Sequence, residues 1–188
     1  MLTEKELIVD ISDEDIVEHL QSGDMDAFSQ LVSRYEKPLL NFLYRFLGDY
    51  HLAEDIFQET FITIYRKSHK FDLSKKFSIW LYQIATNKAV DRLRKRKNLM
   101  VIGQEIENLE YNQETPEENY GKKEEQVNLH KALASLSEEH RLVVVLKHYQ
   151  GLDHSQIAEV LGCPVGTVKS RMYYALKSLK SILKTDKP

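Results

Sequence analysis

Residues 151–180, GLDHSQIAEVLGCPVGTVKSRMYYALKSLK, decide how the chain is read. The spacing predicts a first helix from His154 to Leu161 with Ile157, Ala158 and Leu161 turned inward. Gly162 follows where the chain must turn, and without a Cβ it escapes the left-handed penalty. Pro164 suits the first turn of a new helix, where its missing N–H costs little. Val168, Met172, Ala175, Leu176 and Leu179 then recur at helical spacing and define one buried face. Ser170 and Tyr173 fall opposite, with Tyr174 beside them and Lys169 and Arg171 on the borders. The pair reads as a helix-turn-helix whose exposed surface suits a major groove: cations for phosphates, a hydroxyl and rings for base edges. The alternative is a helical hairpin packed against its own domain. Small Ala158, turning Gly162 and locking Val168 favour DNA binding.

Composition narrows the rest. A chain of 188 residues has room for one large domain or two small ones, and 42% hydrophobic content supplies a core. Only 7 Gly and 4 Pro favour helices over a turn-rich β architecture. The single cysteine, Cys163, rules out an intrachain disulfide and fits a reducing cytosol; at the helix turn it reads as a small, partly buried filler. No apolar run approaches the roughly 18 residues of a membrane span, and the start of the chain has no signal-peptide pattern. The net charge of −3 is unusual for a nucleic-acid binder, but the charge is segregated. Residues 88–97 hold six cations against one anion, and residues 104–125 hold eight glutamates against two lysines. Such blocks point to separate basic surfaces and an acidic connector.

Upstream, Phe28, Leu31, Val32, Tyr35, Leu39, Leu43, Phe46 and Leu47 keep a 3.6 period until Gly48. Ala53, Ile56, Phe57, Thr60, Phe61, Ile64 and Tyr65 form the apolar face of a second amphipathic helix, whose other face carries Glu54, Asp55, Gln58, Glu59 and Arg66. Residues 68–76 break the pattern and read as a loop. A helix from about Phe77 to Lys97 has two apolar stripes, so it is wedged between neighbours; the strip left over holds Gln83, Asn87 and Arg94. Trp80, on one of those stripes, reads as core. Residues 99–126 have no period and excess charge and read as a flexible linker. Helical spacing resumes at Leu129, Ala132, Leu133 and Leu136; Ser137 is the expected N-cap of a helix containing the apolar run Leu142 to Leu146. The fold expected is all-α, two small helical domains joined by an acidic linker, with an N-terminal extension over residues 1–12.

Four segments in order carry a resemblance: DIVEHLQSGDMDAFSQLVSRY (15–35), HLAEDIFQETFITIYR (51–66), KFSIWLYQIATNKAVDRLRKRK (76–97) and GLDHSQIAEVLGCPVGTVKSRMYYAL (151–176). Together they resemble the extracytoplasmic-function (ECF) group of bacterial RNA polymerase sigma factors. The resemblance implies a region 2 domain over 13–98 and a region 4 domain over 127–184. It implies docking of Asp55, Gln58 and Glu59 on the β′ coiled coil of core RNA polymerase, with further contact to the β subunit. It implies recognition and melting of a promoter −10 element by Phe71, Lys75, Lys76, Gln83 and Asn87, with Arg92, Arg94, Lys95 and Arg96 on phosphates. Melting needs no covalent chemistry, only capture of a flipped base and a held backbone. Asn87 matches the family's asparagine after the IA pair and can both donate and accept. Phe71 either stacks on a base or anchors its loop. Contacts to a −35 element fall on Lys169, Ser170, Arg171, Tyr173 and Tyr174. Where Lys169 and Tyr174 stand the family often has arginine, and lysine loses the bidentate fork for guanine. The implied partners are core polymerase, promoter DNA and an anti-sigma factor, in the cytoplasm or held at the membrane through that anti-sigma factor, without direct membrane insertion.

An enzyme is not expected: the histidines lack metal-ligand spacing, and neither a nucleophile motif nor a glycine-rich phosphate loop occurs. No cofactor, metal or small-molecule substrate is implied. Three other readings compete. A conventional dimeric regulator would bind duplex DNA without polymerase, but residues 13–97 show no alternating βα receiver pattern. A decoy that binds only an anti-sigma protein is at odds with the basic run after Asn87. A nuclease would need a carboxylate cluster placed for metals.

Overall fold

The computed structural model describes residues 11–101 and 131–185. Among these residues the regular structure is helical: α1 (Asp13–Gln21), α2 (Met25–Leu47), α3 (Tyr50–Lys67), a 3₁₀ turn (Ser68–Lys70), α4 (Phe77–Val101), α5 (Glu138–His148), α6 (His154–Leu161) and α7 (Val165–Thr185). Residues 131–134 are also helical. The expected linker lies outside the described residues from 102 to 126, while 99–101 continue α4.

Short polar residues start the helices, and Ser137 is the one the sequence suggests. Ser12, Asp24, Asp49, Ser137 and Asp153 each turn a side-chain oxygen onto a free N–H of the first turn. Asp153 and Gln156 form a reciprocal capping box. Gly48 ends α2 at φ 74° and Gly162 ends α6 at φ 60°, both in the left-handed region that a Cβ disfavours.

α1 to α4 pack as a bundle, with Leu31, Leu39, Phe42, Leu43, Phe46 and Ile56 fully enclosed. α4 has the two-sided burial expected of a wedged helix: it meets α1, α2 and α3, and on another side α6. α5, α6 and α7 pack on one another around Leu133, Leu146, Val145, Ile157 and Val168. Apolar contacts run without a break from one set of helices to the other along α2–α5 and α4–α6.

Among the described residues of the expected core, Leu176 and Tyr65 are exposed, and Trp80 is one of several that are only partly buried. Leu176 is 46% exposed. At 3.6 residues per turn it lies roughly 70° away from the centre of the Val168–Met172–Ala175–Leu179 stripe, beyond the cover of α5 and α6. Tyr65 is 48% exposed; twelve positions after Ala53 the stripe has drifted about a third of a turn, and its ring instead meets Phe28 edge-on at 5.4 Å. Trp80 is only partly buried, because α4 presents it at the margin where the loop 71–76 folds over it.

Candidate nucleic-acid interface

The loop between α3 and α4 is held by a helix far away in sequence. The Gln21 amide at the end of α1 donates to the Ser68 carbonyl at 2.8 Å and the Phe71 carbonyl at 3.0 Å. The Glu14 carboxylate accepts from the Phe77 N–H at 2.7 Å and so caps α4 from α1. Within the loop, Asp72 accepts from the Ser74 hydroxyl at 2.7 Å and the Ser74 N–H at 3.0 Å, which hold its carboxyl below the usual range. Phe71 is buried, its ring 4.8 Å from Trp80 and 6.0 Å from Phe77. Of the two roles open for Phe71, the packing is that of an anchor for the loop.

These supports shape a pocket of about 340 Å³ lined by Lys70, Phe71, Lys75, Lys76, Trp80 and Gln83. Ile79, Asp72 and Glu159 complete its lining. The volume lies near the lower end of the ~300–1,000 Å³ usual for small-ligand sites. It combines an aromatic face, an amide and three lysines, the chemistry that a base and its phosphates require. Four of the expected −10 residues, Phe71, Lys75, Lys76 and Gln83, meet here. Asn87 is exposed one turn further along α4 and is not among the lining residues.

The basic end of α4 is less free than its sequence suggests. Arg92 donates to Glu59 at 2.7 Å and lies 4.0 Å from Asp55, and Lys88 is 3.5 Å from Glu59. Arg94 pairs with Asp91 at 3.5 Å. The Arg96 side chain is partly buried, and its Nε has no hydrogen-bond partner among the described residues. Lys95 is exposed. Two of the three carboxylate and amide groups expected to dock on polymerase, Asp55 and Glu59, therefore share ion pairs with α4, while Gln58 is exposed beside them.

On α7, Lys169, Ser170, Tyr173 and Tyr174 are all exposed, Tyr173 at 63% and Tyr174 at 54%. Ser170 donates to the Thr167 carbonyl at 3.0 Å. Tyr174 lies near-parallel to His140 at 6.5 Å. Arg171 is turned away from this group and pairs with Glu139 of α5 at 2.8 Å. Periodicity places it on a border, and the acidic first turn of α5 captures it.

Several residues that matter to this geometry carry no local signal. Glu14 and Gln21 look like ordinary solvated positions of an amphipathic helix. Arg141 donates to the Leu133, Ala134 and Phe46 carbonyls at 2.8, 2.9 and 2.8 Å and to Leu136 at 3.2 Å, satisfying the ends of two helices. Burial lowers its pKa from the ordinary arginine value. Tyr82 of α4 donates to the amide oxygen of Gln150, just past the end of α5, and burial raises the pKa of its phenol. No signal short of the fold itself finds these.

Comparison with known proteins gives a consistent result. Residues 31–99 match the family model "Sigma-70 region 2" and residues 126–179 match "Sigma-70, region 4". The ECF RNA polymerase sigma factor SigW of Bacillus subtilis is 36% identical over 177 residues, covering 89% of this chain and 95% of SigW. Among solved structures, CnrH in complex with the cytosolic domain of CnrY matches with TM-score 0.72 at 25% identity, over 93% of this chain and 99% of that one. The sigma factor RpoE of Bartonella quintana, solved with the anti-sigma factor NepR, matches with TM-score 0.70 at 26% identity, over 85% of this chain and 98% of RpoE. The chain belongs to the ECF group of the sigma-70 family. It is a transcription initiation factor that directs RNA polymerase to promoters. Among the described residues no helix is long and apolar enough to cross a membrane.

Proposed function

We propose that this sigma factor acts without catalysis of its own, through three surfaces: Asp55, Gln58 and Glu59 for core polymerase, the Trp80–Gln83 pocket for a −10 base, and α7 for the −35 duplex. The observation that carries this reading is the pocket, in which an aromatic platform, an amide and lysines converge at the start of α4. A base that enters it is withdrawn from the duplex, and the surrounding cations hold its backbone; both favour the open promoter over the closed one. Asn87, Arg94 and Lys95 extend the same track along α4. Lys169, Ser170, Tyr173 and Tyr174 read the −35 element, and Arg171 joins them on phosphates once released from Glu139. The factor works in the cytoplasm, is controlled by an anti-sigma factor, and spans residues 13–98 and 127–184 with the acidic stretch between them as tether.

Charge reversal tests the polymerase surface. Asp55→Lys with Glu59→Lys is expected to weaken core binding roughly tenfold or more, because an acidic face meets a basic partner. Co-elution with core polymerase measures it, with a thermal melt to establish folding; unchanged co-elution of a folded variant removes these residues from the interface. Replacing Lys169 and Ser170 together with Ala is expected to reduce −35 binding about tenfold while core binding stays intact. Equal transcription from every promoter contradicts that assignment.

A further inference from the structure

A pocket selects among bases only if its wall holds one shape. Residues 71–76, which supply much of the wall of the base pocket, form neither helix nor strand. Their support comes from α1. Gln21, its last residue, donates through its amide to the Ser68 and Phe71 carbonyls at 2.8 and 3.0 Å, where the loop begins. Glu14, in its first turn, accepts from the Phe77 N–H at 2.7 Å, where the loop ends. Residues at i and i+7 share a helix face, and at about 1.5 Å per residue the two anchors stand roughly 10 Å apart along the axis. α1 is therefore a splint across the loop, fixing both of its ends. The helix is itself firmly seated: Ile16, Val17 and Leu20 are buried, and Asp13 accepts from Arg34 at 2.6 Å and from the Tyr35 hydroxyl. The Phe71 carbonyl that Gln21 holds belongs to the residue whose ring packs 4.8 Å from Trp80, so the amide is one step from the aromatic wall. Neither Glu14 nor Gln21 lines the pocket.

We propose that Glu14 and Gln21 are positioning residues for −10 selectivity: by fixing the two ends of the loop they set which base the pocket accepts, without touching DNA. This rests on the reading of the pocket as the −10 base site and adds what determines its choice. Their local duties on α1 are small. Asp13 and Asp15 keep the first turn acidic when Glu14 is replaced, and Ala in place of Gln21 suits a helix at least as well. The bonds to the loop are part-buried, where water competes less and a lost partner is felt. A loop released at either end samples several shapes, and the favoured base loses its advantage over the others.

The experiment uses holoenzyme assembled from core polymerase and the full chain. The template is a promoter whose start site run-off transcription has mapped, prepared with each of the four bases in turn at each −10 position. The ratio of transcript from the favoured base to transcript from the others is the selectivity. A purely structural role lowers all transcripts alike and leaves this ratio unchanged. Gln21→Ala and Glu14→Ala are each expected to lower it roughly tenfold, with thermal melts establishing that the variants are folded. Gln21→Glu keeps the stem but exchanges the donors for a charge, and it is expected to lower the ratio at least as far. Glu14→Gln keeps an acceptor oxygen for the Phe77 N–H and is expected to stay within about twofold of the unaltered chain. Glu18→Ala, on the exposed face of the same helix, is expected to do the same. Trp80, the sole tryptophan, is expected to shift its emission to longer wavelength in Gln21→Ala as Phe71 loosens against it. Unchanged ratios in the folded Gln21 and Glu14 variants, with Lys76→Ala plus Gln83→Ala still lowering the ratio, overturn the positioning role and leave the pocket standing. A ratio unmoved by Lys76→Ala plus Gln83→Ala overturns both.

Discussion

Arg141→Ala is expected to destabilise the chain by about 3 kcal/mol, a large share of the ~5–15 kcal/mol that keeps a domain folded. The guanidinium donates to four carbonyls, at Leu133, Ala134, Leu136 and Phe46. Phe46 lies in the last turn of α2, and Leu133, Ala134 and Leu136 lie at or just past the end of the short helical stretch 131–134, so one guanidinium joins two helix ends. Removing the side chain takes the donor from three part-buried carbonyls at once, and the loss exceeds that of one exposed hydrogen bond. Arg141→Lys is expected to recover less than half, because a single ammonium on a flexible stem cannot span both helix ends as the planar fork does. Urea unfolding followed by circular dichroism measures the change; a midpoint unaltered by Arg141→Ala contradicts the account. The Phe46 carbonyl belongs to α2, so the same substitution is also expected to loosen the packing of α5 on α2.

The second large effect concerns promoter opening. Lys76→Ala with Gln83→Ala removes one cation and one amide from the proposed base pocket. Contacts of this kind are worth roughly 1–3 kcal/mol in nucleic-acid complexes. At about 1.4 kcal/mol per decade, a loss near 2 kcal/mol lowers the open-complex population roughly 30-fold. Core binding is expected to stay within about twofold, since the ion pairs of Asp55 and Glu59 are made with Lys88 and Arg92 and not with Lys76 or Gln83. Permanganate reactivity of unpaired thymines at the −10 element measures the opening. A footprint of full intensity removes the pocket from strand opening. Asn87→Ala, one turn beyond the pocket, is expected to reduce the same footprint less than the double substitution does.

Local chemistry explains how much of this architecture was legible in the sequence. Gly48, Gly162 and Ser137 announce helix ends because capping involves residues within three or four positions of each other. Ile157, Val168, Met172 and Ala175 announce a core face because burial repeats with the helix period. The same period misplaced Tyr65 and Leu176, which sit where a helical stripe leaves the cover of its neighbours. General burial tendency puts Trp80 in the core, yet it stands at the margin with Phe71 against it. Arg92, one member of a basic run in the sequence, pairs with the Glu59 carboxylate 33 residues earlier in the chain. The links from Glu14 to Phe77, from Gln21 to Phe71 and from Arg141 to Phe46 join positions separated by 63, 50 and 95 residues. Periodicity cannot see such pairs, because each partner alone is an ordinary polar residue on a helix surface. The placement of Glu159 beside the lysines depends on how two helical units dock, which no local pattern encodes.

Run-off transcription tests the central claim most directly. Purified core RNA polymerase, this chain and fragmented DNA of the source organism are combined, and the transcripts are mapped. Discrete transcripts that are absent without the chain are expected, with start sites that align on two shared elements at −10 and −35. Core polymerase that gains no new start sites, although the chain binds it, would contradict the account.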